Sequence, residues 1–178
     1  MVAGHAALGL LIKARRPRPG TALLIAAAFG PDLLEWAFAV FGQHNRELSH
    51  SIIAVALGAM IAAIAYAIVT QSSAGDATAV GIAWLSHWPA DFLTGIKPTW
   101  PGGPDVGLNL YSSPGYDFAM ESALVIVAWL MYRRTVNPRE MGRSPWLPVF
   151  LIALQGGFAL LLWGAPLPAP FDLLHLSR

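Results

Sequence analysis

The sequence has no cysteine and little charge. Without cysteine, disulfides, iron-sulfur clusters and thiolate zinc sites are excluded. Only 12% of the 178 residues are charged, whereas soluble domains average roughly 25%, and 56% are hydrophobic. The mean hydropathy of +0.55 is typical of a membrane protein. The net charge of +1 and the lack of a long basic tract argue against a nucleic-acid partner.

Long apolar stretches predict a bundle of membrane helices. A helix rises about 1.5 Å per residue, so about 20 residues cross a hydrocarbon core of ~30 Å. The first stretch, 2–12, is about half that length and predicts a half-spanning or interfacial helix; no basic region precedes it, which disfavours a cleaved signal peptide. The predicted spans are 21–41, 50–70, 77–96, 118–132 and 147–163. The predicted fold is therefore an all-α integral membrane bundle of about five transmembrane helices plus an N-terminal half-helix, in a single domain over residues 1–178.

Prolines predict breaks inside two of these spans. Pro31 follows Gly30 in the middle of the first span, which predicts a kink there, with Asp32 directly after it. Pro89 interrupts the third span. The segment 97–116 is rich in proline and glycine and predicts a long irregular loop of the kind that serves as a functional lid.

Ionisable residues occur inside the apolar segments, where each charge costs about 2.5–3.5 kcal/mol at the bilayer centre. His87 and Asp91 are four residues apart, so on one helix they point to the same place. His5, Asp32 and His50 lie in three other segments. Intramembrane ionisable groups are functional by default. These residues therefore predict one polar site.

The arginines set the predicted orientation. If every predicted span crosses, loops 13–20, 71–76 and 133–146 share one side and hold most of the arginines, so that side is cytoplasmic by the positive-inside rule. The polar residues then lie at one depth in the outer half of the membrane.

A divalent metal would neutralise buried carboxylates and accept neutral imidazoles. Of the nearby cations only Arg46 and Lys97 could reach the site. Histidine with carboxylate suits zinc, manganese or iron, and hydrolysis favours zinc, with manganese as the alternative. Structural alternatives remain open. His87 and Asp91 could form a simple hydrogen-bonded pair, and Asp32 could cap a helix. The remaining histidines, His44 and His175, are expected in solvent.

Four short motifs occur in order along the first part of the chain. They are Gly4-His5, Pro31-Asp32, the stretch RELSHS at residues 46–51, and Ser86-His87 followed by Asp91 and Leu93-Thr94-Gly95. Together they resemble the membrane-bound metal-dependent hydrolases of the DUF457 type, a group that includes the LexA-regulated inner-membrane hydrolase family. That family is similar to zinc-dependent phospholipase C enzymes in its histidine and aspartate pattern. The resemblance covers residues 1–125 and implies five metal ligands: His5, Asp32, His50, His87 and Asp91.

The sequence departs from the family pattern at two positions. In the family, a His-Arg pair commonly precedes the serine and histidine of the third motif. Here Asn45 precedes Arg46, and the nearest histidine, His44, lies one residue before the position where the family has it. A second aspartate often follows the Pro-Asp motif by two residues, and Leu34 occupies that place. A catalytically inactive member of the fold, with a structural or partner-binding role, is therefore an alternative.

The predicted function is hydrolysis of a phosphoester, or a similar bond, in a lipid or lipid-linked substrate by metal-activated water. The expected location is the cell's inner membrane, spanned several times, with the lipid bilayer as a partner. Glu35 and Glu121 are the candidate general bases, and Arg46 is the candidate ligand for a phosphate oxygen. A small transporter or proton relay could use the same buried residues without metal, although five spans without a repeat are few for a transporter.

Overall fold

The protein is helical almost throughout. The structure, a computed structural model, describes residues 1, 3–135, 137 and 146–164, with side chains up to residue 161. Its helices are α1 (Ala3–Arg15), α2 (Thr21–Ala28), α3 (Gly30–Val40), α4 (Glu47–His50), α5 (Ile52–Thr70), α6 (Ala74–Leu85), α7 (His87–Thr94), α8 (Pro114–Thr135) and α9 (Trp146–Gly164). The all-α prediction is confirmed. His175 and the arginines of the second basic loop beyond residue 137 lie outside the described residues.

Helix α1 lies at the centre of the bundle, against α2, α6, α7 and α8. Small side chains allow its neighbours to approach closely. A Cβ at Gly9 would lie 2.9 Å from the backbone of Ile25 in α2, so only glycine fits that crossing. Towards α8 the main core is built from Ala3, Ala6, Ala7, Leu10, Val125, Ala128 and Tyr132. Because α1 is central, its N-terminal turns are surrounded by other helices and His5 is fully buried.

The predicted kink at Gly30-Pro31 is confirmed. Helices α2 and α3 meet at Phe29 with a bend of 64°. Proline lies in the first turn of α3, where its missing N–H costs no helical hydrogen bond. The ring of Trp84 packs against Gly30, and a Cβ there would overlap the ring. The bend turns the first residues of α3 towards the bundle.

The third predicted span is interrupted one turn before its proline. Helix α6 ends at Leu85 and α7 begins at His87, with Ser86 between them. Pro89 has no N–H to donate to the carbonyl of Leu85, and its ring obstructs a continuous helix at that point. His87 and Asp91 therefore lie on the same short helix, because the break precedes both of them.

The bundle exposes much apolar surface. Helix α5 is 19 residues long with a hydropathy of 2.6, and only 11% of its apolar window is buried. Among the described residues, α5 is the one helix that is long and apolar enough to cross a membrane. The bent pair of α2 and α3 would be a second crossing if the pair forms one span. Another predicted span is divided by the break at Ser86. The apolar segment of α9 within the described residues, Trp146–Leu161, is shorter than a full crossing requires. The count of five spans is not confirmed and stays a prediction.

The long loop after α7 is more regular than predicted. Lys97–Pro98 pairs antiparallel with Asp105–Val106, and Leu110–Ser112 forms a 3₁₀ turn. The Thr99 carbonyl accepts a hydrogen bond from the N–H of Ile52, which attaches the hairpin to the start of α5. This attachment holds Lys97 at the C-terminal end of α7.

Candidate metal centre

His87 and Asp91 form the pair that their spacing predicts. They are one turn apart on α7, and His87 Nε2 lies 3.2 Å from Asp91 Oδ2. Both residues are buried. Pro89, in the first turn of α7, lies between them without disturbing their common direction.

Three further elements bring their polar residues to this pair. His5 of α1 places Nε2 3.2 Å from Asp91 Oδ1, and its ring stacks on that of His87 with centroids 4.0 Å apart. Asp32 lies in the first turn of α3, directly after the bend, with Oδ1 3.7 Å from His87 Nε2. His50, at the end of α4, places Nε2 3.1 Å from Asp32 Oδ1. All five residues that were predicted to be ligands therefore meet at one place.

The donor atoms form two overlapping groups. Within each group the atoms lie within 4.8 Å of one another, which is compatible with a shared metal ion. The first group is His5, His87 and Asp91, and the second is Asp32, His50 and His87. His87 belongs to both. The cluster can therefore hold a metal ion, through imidazole nitrogens and carboxylate oxygens.

The tautomer of His87 follows from its surroundings. Its Nδ1 lies 2.9 Å from the carbonyl oxygen of Ala28, which can only accept, so Nδ1 carries the proton. Nε2 then has a lone pair that faces the carboxylate oxygens of Asp32 and Asp91, and it has no hydrogen-bond partner within the described chain. The two carboxylates around this nitrogen need positive charge between them, which either a proton on Nε2 or a metal ion supplies. Metal-binding histidines are commonly oriented by such a carbonyl.

The Ala28 carbonyl is available because of the bend. Ala28 is the last residue of α2, and the carbonyls of a final helical turn have no partner four residues on. The Gly30-Pro31 break therefore has two effects: it frees the carbonyl that orients His87, and it places Asp32 in the site.

His50 is oriented in a similar way. Its Nδ1 lies 2.8 Å from the hydroxyl of Ser49 and its Nε2 lies 3.1 Å from Asp32 Oδ1, so the ring is held from both sides. Nε2 again faces Asp32. A carboxylate only accepts, so the hydrogen bond to Asp32 requires a proton on Nε2. A metal ion held by Asp32 and His50 would take the place of that proton.

The two carboxylates differ in their counter-charges. Asp91 contacts Lys97 Nζ at 2.5 Å and the Met1 amino group at 2.8 Å. For Asp32, no lysine or arginine nitrogen in the described part of the chain lies within 4.0 Å. Its side chain is 31% exposed, whereas that of Asp91 is 4% exposed. The group of Asp32, His50 and His87 is therefore the better cation site, because its negative charge is not yet balanced and its carboxylate reaches the surface.

The other predicted site residues lie at different distances from this group. Glu35 Oε2 is 3.6 Å from His50 Nδ1, and Glu35 Oε1 pairs with Arg46 Nε at 3.1 Å. Both side chains are partly exposed and border the group. Glu121 is fully buried in α8 and accepts a hydrogen bond from the N–H of Gly4, next to His5. Of the two cations expected within reach, Lys97 contacts Asp91 in the cluster, whereas Arg46 contacts Glu35 at its border.

Two groups that orient the histidines carried no signal in the sequence, whereas a buried acid near Glu121 carried one. The Ala28 carbonyl is a backbone group, and its role depends on where the break falls. The hydroxyl of Ser49 lies beside His50, but a serine next to a histidine does not by itself indicate that it orients the ring. Asp117, fully buried one turn before Glu121, accepts a hydrogen bond from Gln155 of α9. Its spacing of four residues from Glu121 is the signal that could have found it.

Comparison with known proteins gives no relative: no family model, no curated protein and no solved structure matches this chain.

Proposed function

We propose that this protein is a membrane-bound metal-dependent hydrolase that cleaves a phosphoester in a lipid or lipid-linked substrate. The observation that carries the proposal is the arrangement at His87, whose unpartnered Nε2 faces Asp32 and Asp91 while a carbonyl holds Nδ1. The proposed ligands are Asp32, His50 and His87, with His5 and Asp91 completing the site or holding a second ion. The proposed metal is zinc, with manganese as the alternative.

The exposed edge of the site suits a reaction rather than a purely structural ion. A divalent ion held there would supply Lewis acidity towards a phosphoryl oxygen and lower the pKa of water. Glu35 borders His50 and is half-buried, so it is the proposed acceptor of the proton from the attacking water. Arg46 pairs with Glu35 and is 54% exposed, so its guanidinium is available for phosphate oxygens. Glu121 is the less suitable base, because it is fully buried and bonded to backbone.

Apolar side chains beside this edge support a lipid substrate. Trp36 of α3 and Phe41, directly after α3, are 72% and 82% exposed, and Leu48 of α4 is 47% exposed. These residues flank Glu35 and Arg46 in the sequence. Exposed aromatics are typical of the region where headgroups meet hydrocarbon. A phosphoester headgroup at that depth would lie beside the site while its chains remained in the bilayer.

The proposed placement is the inner membrane, with five crossings and the site in the outer half. Exposed apolar side chains along α5 support insertion. The arginines Arg15, Arg16 and Arg133 lie at the C-terminal ends of α1 and α8, whereas His5 lies near the N-terminal end of α1. The site and the basic residues are thus at opposite ends, as the positive-inside rule requires of an outer site.

The test is metal content and turnover together. Protein purified in detergent should contain about one or more equivalents of zinc or manganese per chain. It should release phosphate or a phosphorylated headgroup from phospholipid or isoprenoid-phosphate substrates. Asp32→Asn should lose both properties, and His44→Ala, at an exposed histidine outside the cluster, should keep both. Wild-type protein with no metal after supplementation would contradict the proposal, and so would turnover that is unchanged in Asp32→Asn.

A specific observation favours one alternative. Asp91 already has two cationic partners, Lys97 and the Met1 amino group, so part of the cluster is neutral without metal. A structural or proton-carrying cluster would use these ion pairs and bind no metal. The same metal analysis distinguishes the two functions, since only the hydrolase requires stoichiometric metal.

A further inference from the structure

A groove lies on the bundle away from the His/Asp cluster. It is about 700 Å³ in volume and is enclosed by α1, α6 and α8. Apolar residues form its walls, including Leu11, Ile82, Val127 and Met131. Arg15, which also lines it, is ten residues after His5 on α1, or about 15 Å along the helix. The groove is therefore separate from the proposed metal centre.

Two arginines stand at one end of this groove. Arg15 and Arg16 both line it, and they are exposed. A Cβ at Gly75 would lie 3.0 Å from Arg16 Nη1, so the glycine at the start of α6 leaves room for this guanidinium. Asp76 pairs with Arg18 instead, at 3.5 Å. In the described ranges no carboxylate oxygen lies within 4.0 Å of Arg15 or Arg16, so both charges are available to a ligand.

An apolar slot with cations at one end matches an anionic lipid in shape and charge. Basic pockets between membrane helices on the cytoplasmic side bind anionic headgroups. The groove lies within the ~300–1,000 Å³ range of small-molecule sites. The apolar walls suit a hydrocarbon chain, and the two arginines at one end suit the phosphate of its headgroup.

We propose that this groove binds one anionic phospholipid, with an acyl chain between α1, α6 and α8 and its phosphate paired with Arg15 and Arg16. The proposal depends on insertion in a membrane but not on metal binding or hydrolysis. The lipid is distinct from a substrate, because its headgroup lies at the end opposite the metal centre.

The first test is the retention of lipid by charge variants. Delipidated protein in detergent is mixed with phosphatidylglycerol or phosphatidylcholine, and bound lipid is counted by native mass spectrometry. Wild-type protein should retain one phosphatidylglycerol in preference to phosphatidylcholine. The double variant Arg15→Gln with Arg16→Gln should bind it about 30-fold more weakly, from about 1 kcal/mol for each basic residue. The control, Arg133→Gln with Arg134→Gln, removes equal charge from the same end and should bind normally.

The second test fills the groove. Thr78 lines it and is exposed, so Thr78→Trp should displace the acyl chain and abolish retention. Ile61→Trp, at an exposed position of α5 outside the groove, is the matched control and should have no effect. Metal content should be unchanged in every variant, which separates failure here from failure of the proposed hydrolase.

Three outcomes would overturn the lipid site. One is undiminished phosphatidylglycerol binding in both the Arg15/Arg16 and the Thr78 variants. Another is an equal loss in the Arg133/Arg134 control, which would indicate a general charge effect. The third is a Thr78→Trp protein that loses a dimer but no lipid, which would assign the groove to a second copy of the chain.

Discussion

Replacing His87 tests the cluster most severely, because both ligand groups include it. In His87→Ala the first group keeps only His5 and Asp91, and the second keeps only Asp32 and His50. Neither remaining pair can provide the three protein ligands usual at a catalytic zinc site. The Ala28 carbonyl would also lose its donor, but it lies at a helix end, where such groups often bond to other partners.

The magnitude follows from dividing the binding energy among the ligands. Structural zinc sites bind with about 10–16 kcal/mol, so each of four ligands contributes about 2.5–4 kcal/mol. Loss of one should weaken zinc binding about 70- to 900-fold. His5→Ala should have a smaller effect, about 10- to 100-fold, which is the range for a group next to the ligands. The reason is that the group of Asp32, His50 and His87 stays complete.

The assay is competition against a zinc chelator of known affinity, in detergent, with circular dichroism to verify the helical content. His44→Ala should match the wild type. If His87→Ala fails to fold, Asp32→Asn, which keeps the side-chain shape, replaces it and should show a comparable loss. Wild-type affinity in a correctly folded His87→Ala protein would refute the assignment of ligands.

Four further predictions concern residues around the site. Ser49→Ala removes the hydroxyl that orients the neighbouring imidazole and should weaken zinc binding about 10- to 100-fold in the same competition assay, with an unchanged melting temperature. Lys97→Met leaves Asp91 with one fewer counter-charge and should destabilise the metal-free protein by about 3–5 kcal/mol, and added zinc should recover part of the loss in a thermal-shift assay. Gly30→Ala forces a Cβ into the indole that packs on the bend and should cost about 1–3 kcal/mol in denaturant unfolding, whereas Gly115→Ala, at an exposed position in the first turn of α8 with open space around it, should cost nothing. Burial raises the pKa of Tyr111, so the unfolded chain ionises first; stability should fall as pH rises past about 10, and Tyr111→Phe should flatten that fall.

The sequence predicts the meeting of the five polar residues, because each depends on a local rule. The spacing of His87 and Asp91 places them on one helical face. The Gly30-Pro31 pair predicts the bend that turns Asp32 inward. Intramembrane charge requires partners, which brings the separate segments together. These arguments need no knowledge of how the helices pack.

Other features depend on packing and were not predictable. The choice of Ala28 as the partner of His87 requires the relative position of α2 and α7. Pro89 predicts a break in the third span, but not that the break falls at Ser86, before both His87 and Asp91. The hairpin that positions Lys97 consists of two-residue strands, which are too short to give an alternating pattern.

The most direct test of the central claim is the zinc K-edge X-ray absorption spectrum of the zinc-loaded protein. The proposed site predicts a first shell of nitrogen and oxygen at about 2.0–2.1 Å, with multiple scattering from at least two imidazoles. The spectrum of His50→Ala should lose one imidazole contribution, and that of His44→Ala should be unchanged. A shell of oxygen alone, with no imidazole scattering, would contradict a metal centre built from these histidines.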